Sequence, residues 1–408
     1  MKKVLAILLA FVMVFSFAAC GQEKEQGEKQ AKVYKVGMVC IGDETQAYDQ
    51  NFYRAADSAK EELAKEGINI EWIYTYKHPE GEPVKEDNET LAEEGCIVVF
   101  NNSYGHEPAM LQVAPNYPDV TFVGLTNEAS SRDDLDNTIN AFPNIYEARY
   151  LAGVAAGMKL NQMIDEKKIT AEEARIGYVG AYTFAEVLSG YTAFFLGARS
   201  VCPSATMYVN FIGSWGDYKL EEAAATTLID DYKCVLISQH SDQVSPAVVA
   251  EKKGVYHIGY NIAMSDANTA PNASIVSSRI DWTKYFVKVI KAAINGEKQD
   301  QDYINHGLKT DEVCLTELNE KIAAPGTAEA IEKARKEIEA GTLHVFDTST
   351  FTVEGKELTS FLVDMTGDFV GDEGYEAVHN GYFDEGLFKS APSFSVQIDG
   401  ITLTNTAF

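Results

Sequence analysis

The sequence predicts an α/β protein of two doubly wound parallel-sheet lobes, with a hinge and a cleft between them. Short β-rich runs alternate with helical patterns from Val33 onward, and the alternation occurs in two separate series. Composition agrees: 46% of the residues are hydrophobic and 23% charged, an ordinary globular balance, and 408 residues allow roughly two to three domains.

In the first series, 35–41, 68–74, 96–100 and 121–124 read as strands, because β-branched and aromatic residues cluster there. Between them, 51–66, 88–94 and 106–114 carry helical spacing. The second series has strands at 176–179, 207–212, 235–238 and 256–260, with helices at 185–199, 218–230 and 243–252. Between the series, 145–160 is an amphipathic helix in which Gly153 and Gly157 allow close approach of another backbone. A strand at 274–279 and a helix at 282–294 are expected to return to the first sheet. Lobe 1 is therefore expected over 33–142 plus 261–295, and lobe 2 over 143–260. Residues 296–408 hold a helix at 328–340 and β-like pieces at 345–353 and 393–403, and are expected to pack on lobe 2 and the hinge.

The N-terminus has the form of an export address. Lys2 and Lys3 precede an apolar stretch from Val4 to Phe17, then Ala18, Ala19, Cys20 and Gly21. A basic start, a run too short for an ordinary membrane span and small residues at the cut describe a secretory signal over 1–19. A Cys at this place resembles the bacterial lipobox, which implies acylation of Cys20 and a polar tether over 20–32. Phe17 stands where Leu is commoner. The expected location is outside the cytoplasmic membrane, attached to it only through that lipid.

Acidic residues number 61 against 34 basic ones, a formal charge of −27. Such a surface repels phosphate backbones, so nucleic acid is excluded as a partner. Beyond Cys20 the cysteines are Cys40, Cys96, Cys202, Cys234 and Cys314, widely spaced and odd in number. Their spacing supports no zinc site, and a Cys202–Cys234 bridge stays open. Neither a nucleophile elbow, a P-loop, an H-E-x-x-H run nor a dinucleotide fingerprint occurs. His106-Glu107 opens like a zincin motif, but Pro108 follows. No enzyme, cofactor or metal is expected; the simpler reading is a receptor with a cleft at the carboxyl ends of its strands.

Three strings narrow this reading: Tyr146-Glu147-Ala148-Arg149-Tyr150-Leu151-Ala152-Gly153, Ile176-Gly177-Tyr178-Val179-Gly180-Ala181 and Phe211-Ile212-Gly213-Ser214-Trp215-Gly216-Asp217. They resemble the basic membrane protein family, also called PnrA-like or Med-like lipoproteins, over residues 33 to about 295. The resemblance implies a type I periplasmic-binding-protein fold, an ABC permease as partner and a nucleoside-like ligand, chiefly a purine nucleoside, held between aromatic rings. It places the rings at Phe52 and Trp215, a cleft Asp at Asp43, a base contact at Asn140 and a basic residue at Arg279. Tyr53 stands where the family has Asn, and Asn261 where it has a ribose-binding Asp. Asn can still accept one hydroxyl proton through its oxygen.

Each position also has a structural reading: Phe52 as core, Asp43 and Asn261 as turn formers, Arg279 as a partner of Asp281. Strand-end polarity adds Asn101, Asn102, Ser103 and His106 from lobe 1, and Gln239, His240 and Asp242 from lobe 2, with Tyr182 and Phe184 on the same rim. A monomer that closes on one small ligand is expected. The alternatives are a secreted nucleoside-processing hydrolase with dispersed carboxylates, or a sensing receptor without transport.

Overall fold

The structure, a computed structural model, describes residues 32–128 and 135–405. The signal, Cys20 and nearly all of the tether lie outside the described residues. No described helix is long and apolar enough to cross a membrane.

The first half contains β1 (Val33–Val39), α1 (Ala47–Lys65), β2 (Asn69–Thr75), α2 (Pro83–Glu93), β3 (Cys96–Asn101), α3 (Glu107–Val113), β4 (Thr121–Leu125) and β5 (Thr138–Ala141). Its strands form one parallel five-stranded sheet in the order β2-β1-β3-β4-β5. Pro108 does not break α3; it stands in the first turn, where its missing N–H has no intrahelical partner to lose.

Next comes α4 (Ile145–Asp165), buried on most of its circumference, as a helix between layers must be. It packs on α5 (Ala185–Val201), which follows β6 (Arg175–Gly180). A Cβ at Gly153 would strike the Phe194 carbonyl, and one at Gly197 the Tyr150 carbonyl, so only glycines permit this approach. The second half continues through β7 (Thr206–Phe211), α6 (Tyr218–Asp230), β8 (Leu236–Gln239), α7 (Ser245–Lys253), β9 (Tyr256–Tyr260), β10 (Ser274–Ile280), α8 (Thr283–Asn295), β11 (Val313–Leu315) and α9 (Thr327–Glu339). Two short strands, β12 (Val378–His379) and β13 (Tyr382–Phe383), pair as a separate hairpin before β14 (Ile401–Leu403). The second sheet has seven strands, β11-β10-β9-β8-β6-β7-β14, parallel except for β11.

This order corrects one expectation. β10 does not return to the first sheet; it pairs in parallel with β9, from which only residues 261–273 separate it. The return comes one element later, through α8. Trp282, just before that helix, stacks on Phe52 of α1 at 5.4 Å between centroids, and Phe286 lies 4.6 Å from Phe100 of β3. The chain then pairs Asn140 with Asp302 beside β5 before β11 rejoins the second sheet.

The last quarter is only partly regular. Within 345–353 there is no continuous strand, only isolated bridges such as Asp347 with Tyr382. Of 393–403, just Ile401–Leu403 pairs, extending the second sheet beside β7. Stacked rings hold the remainder, Phe346 on Phe394 at 4.4 Å. Cys202 and Cys234 are both buried free thiols, so no bridge joins them.

Candidate functional site

In parallel sheets, the loops leaving the carboxyl ends of the strands are the natural lining of a site. Here loops from both sheets meet around one cavity, lined by Tyr48, Ser103, Tyr104 and Thr126 from the first half and Glu186, Trp215, His240, Asp242 and Tyr260 from the second. Its volume, about 20 Å³, has room for a water and not for a ring.

The first-half wall rests on α1. Tyr48 donates its hydroxyl to the Asn102 carbonyl at 2.5 Å. Asn102 in turn donates through its amide to Asp49 and accepts the Ile41 N–H. Ser103 donates to Glu80. Between the two walls, Gln46 Nε2 donates to Asp242 Oδ2 at 3.2 Å.

The second-half wall is a pinned loop. Gln239 donates its amide back to the Ser241 and Gln243 carbonyls, both at 2.7 Å, while Glu221 accepts the Gln243 N–H and the Ser245 hydroxyl. From α4, Arg149 donates to the Gln239 carbonyl at 2.8 Å, and its guanidinium lies 3.6 Å above the Tyr260 ring. The arginine of the Tyr146–Gly153 string thereby fixes a loop and a ring of the cavity at once. Trp215 follows Gly213, whose φ of +68° suits glycine, and accepts the Asp242 N–H through its carbonyl. Its ring packs on Tyr182 and Phe184, at 5.1 and 6.0 Å.

Of the sequence-predicted residues, Ser103, Trp215, His240 and Asp242 line the cavity and Tyr182 supports Trp215. Others sit elsewhere. Phe52 is core, stacked on Trp282; the ring at the cavity is Tyr48, one turn earlier on α1. Tyr53 joins Tyr74 and Tyr76 in an aromatic group outside the lining. Asn101 exchanges two amide hydrogen bonds with Asn88. His106 is buried, with Nε2 3.3 Å from the His78 carbonyl. Asn140 is tied to Asp302 and Ser390. Asp43 pairs with Lys77 and caps Thr45, contacts that hold its carboxyl down at about 2. Gln239 shapes the loop rather than the lining. Asn261 turns the chain at φ +68°, a conformation Asn tolerates. Arg279 pairs with Asp281 and donates to the Cys314 sulfur. Tyr48, Tyr104, Thr126, Glu186 and Tyr260 are the lining residues that sequence reasoning missed.

Burial makes the cavity's acids hold their protons more tightly than exposed carboxyls do. Burial pushes Glu186 up to about 8, and Glu186 Oε1 lies 3.1 Å from His240 Nε2. His240 is held neutral by burial first and then by Arg149. Burial, followed by the charges of Glu221 and Asp49, raises Asp242 well above the carboxylate range. The site therefore offers neutral donors and acceptors between rings rather than a fixed ionic grip. Among the described residues, no cluster of three or more His, Cys, Asp or Glu is placed to hold a metal.

Stability should follow from the same burial. Glu221 and Glu186 titrate near 8 in the fold and Asp49 near 7, whereas unfolded carboxyls titrate near 4. The folded chain keeps protons that the unfolded chain has released, so this contribution is lost as pH rises through the folded values. His106 and His257, lowered by burial to about 4 and about 3, act in the opposite sense only below about 6.5. The melting midpoint is expected to fall between pH 6.5 and 8, and Glu221→Gln should flatten that fall; a midpoint rising over this window in thermal melts would contradict the assignment.

The family described as ABC transporter substrate-binding protein PnrA-like matches residues 35–343. The chain belongs to that family. A purine-binding protein of Brucella abortus is 27% identical over 79% of this PnrA-like chain and 86% of its own length. A putative ABC transporter glucose-binding protein of Haloferax volcanii is 29% identical over 69% of the chain and 68% of its own. Among solved structures, an ABC transporter solute-binding protein of Aeropyrum pernix aligns at a TM-score of 0.60 with 16% identity, covering 77% of the chain and 93% of that structure. One from Conexibacter woesei gives 0.57 at 18%, covering 76% and 98%. These structures share the fold. As a PnrA-like substrate-binding protein, the chain takes a small molecule and has a permease as partner.

Proposed function

We propose that this PnrA-like protein captures a purine nucleoside between its halves, outside the cytoplasmic membrane and anchored through a lipid on Cys20, and hands it to the permease as a monomer without chemical change. The observation that carries the ligand class is the cavity itself, where rings from both halves, Tyr48 and Trp215, meet the polar groups of Ser103, Glu186 and Asp242. A purine is an uncharged polarisable plate, and offset stacking adds about 0.5–1.5 kcal/mol per ring pair beyond area burial. A carboxyl whose burial favours the protonated form, as at Glu186, accepts from and donates to hydroxyls and ring nitrogens without leaving a buried charge unpaired. The kinship with a purine-binding protein supports the same reading. For the anchor, the support is the Lys2-Lys3 start, the apolar run and the small residues before Cys20.

Capture then works through contacts that exist only when the halves meet, such as Gln46 with Asp242. Isothermal titration of ligand-free protein with adenosine, inosine, guanosine, their bases and glucose tests the ligand class. The expected result is one site per chain, filled by nucleosides and not by glucose; heat with glucose alone overturns the nucleoside reading. Free base appearing by chromatography after incubation would overturn capture without turnover.

A further inference from the structure

The cleft does not end at the small cavity. A second compartment of about 250 Å³ lies beside it, and Tyr104, Thr126 and Glu186 line both. Its far wall comes from residues 361–395, beyond the stretch that matches the family. Phe142, Phe184, Phe361 and Phe369 are the rings of its lining other than Tyr104.

Lys389 secures this wall: it pairs with Glu128 at 2.6 Å and donates to the Asp364 carbonyl at 2.8 Å. Asp364 accepts the N–H groups of Thr366, Gly367 and Phe369, folding a tight loop. That loop holds Phe369 at φ +65° and 89% exposed, beside the compartment. A bulky side chain in the left-handed region is an outlier, and an exposed ring there is costly in water.

The charges of the compartment are already committed. Lys389 and Glu128 answer each other, Asp364 is occupied by backbone donors, and Glu186 lies against His240. What remains for a guest is mostly apolar surface, with the uncharged side chains of Ser393 and Ser395 beside the rings. Its volume is near the lower end of ordinary ligand pockets, about 300 Å³.

We propose that residues 361–395 give the cleft a second compartment that takes an uncharged, ring-sized apolar substituent on the nucleoside, with Phe369 folding over its mouth. This rests on the nucleoside reading above: the purine and ribose fill the space between Tyr48 and Trp215, and the substituent extends past Thr126. Nucleosides with such a substituent then bind more tightly than the parent compounds.

The test is titration of the whole chain with adenosine, N6-benzyladenosine and 5′-benzylthio-5′-deoxyadenosine, which place one ring at opposite ends of the nucleoside. The expected result is that one of the two benzyl compounds binds at least ten-fold tighter than adenosine, and that Ser395→Trp, which fills the compartment from an exposed position, erases this ratio. Phe369→Ala should reduce the ratio several-fold without lowering the melting midpoint. If adenosine binds and neither benzyl compound gains, or the gain survives Ser395→Trp, the second compartment is overturned while the nucleoside reading stands. If none of the three binds, both fall together.

Discussion

Trp215→Ala is expected to weaken nucleoside binding by at least about thirty-fold, on the order of 2 kcal/mol, with the melting midpoint almost unchanged. The ring is half-buried at the rim, and its neighbours Tyr182 and Phe184 also belong to the rim. Removing it takes away a stacking face and leaves the core intact. Phe52→Ala should do the reverse. That ring is 1% exposed between Tyr48 and Trp282, and truncating a buried Phe costs about 3–5 kcal/mol of stability. Calorimetric binding and thermal melts on both variants decide the matter: a large fall in midpoint for Trp215→Ala would make Trp215 a core residue and remove the ring pair.

The contrast between these two rings shows how far the sequence could be read. Helical spacing located α1, but the helix begins at Ala47 and not near Asn51, because Gln46 supplies an extended start without a side-chain cap. No Ser, Thr, Asp or Asn cap marks that start. Tyr48 and Phe52 are one turn apart on the same face, and periodicity cannot say which reaches the core. Trp215 was legible because a Gly-Ser pair precedes it at a strand end, where a large ring has no sheet to pack against. Glu186 was not, since an acid in the first turn of a helix ordinarily only answers the helix dipole. Tyr260 looks like any strand residue until Arg149, over a hundred positions earlier, is found above it.

At the level of the fold, alternation of strands and helices exposed both sheets and nearly every helix, yet said nothing of which sheet β10 joins. That is decided by the pairing of β10 with β9, a three-dimensional matter that alternation does not encode. Beyond Glu339 the strands β12, β13 and β14 are only two or three residues long, and isolated bridges and stacked rings such as Phe346 with Phe394 order the rest, which leaves no period to read.

Gly153→Ala is expected to destabilise the protein, against the helix-propensity gain of about 1 kcal/mol. The new methyl would meet backbone, the Phe194 carbonyl and the Ala198 N–H, and backbone cannot rotate aside. Overpacking of this kind typically costs about 1–3 kcal/mol, sometimes more, so sterics outweigh propensity. Gly153→Leu should prevent folding altogether, because α4 and α5 would have to part along their contact. The consequence reaches the site: α5 carries Glu186 into the cavity at its first turn, while α4 holds the Gln239 carbonyl and Tyr260 through Arg149. Separating the helices by even a fraction of an ångström moves one wall group against another, so Gly153→Ala should weaken nucleoside binding as well as lower the denaturation midpoint. A variant that melts at or above the unsubstituted protein's midpoint would show that the two helices are not held in contact through their glycines.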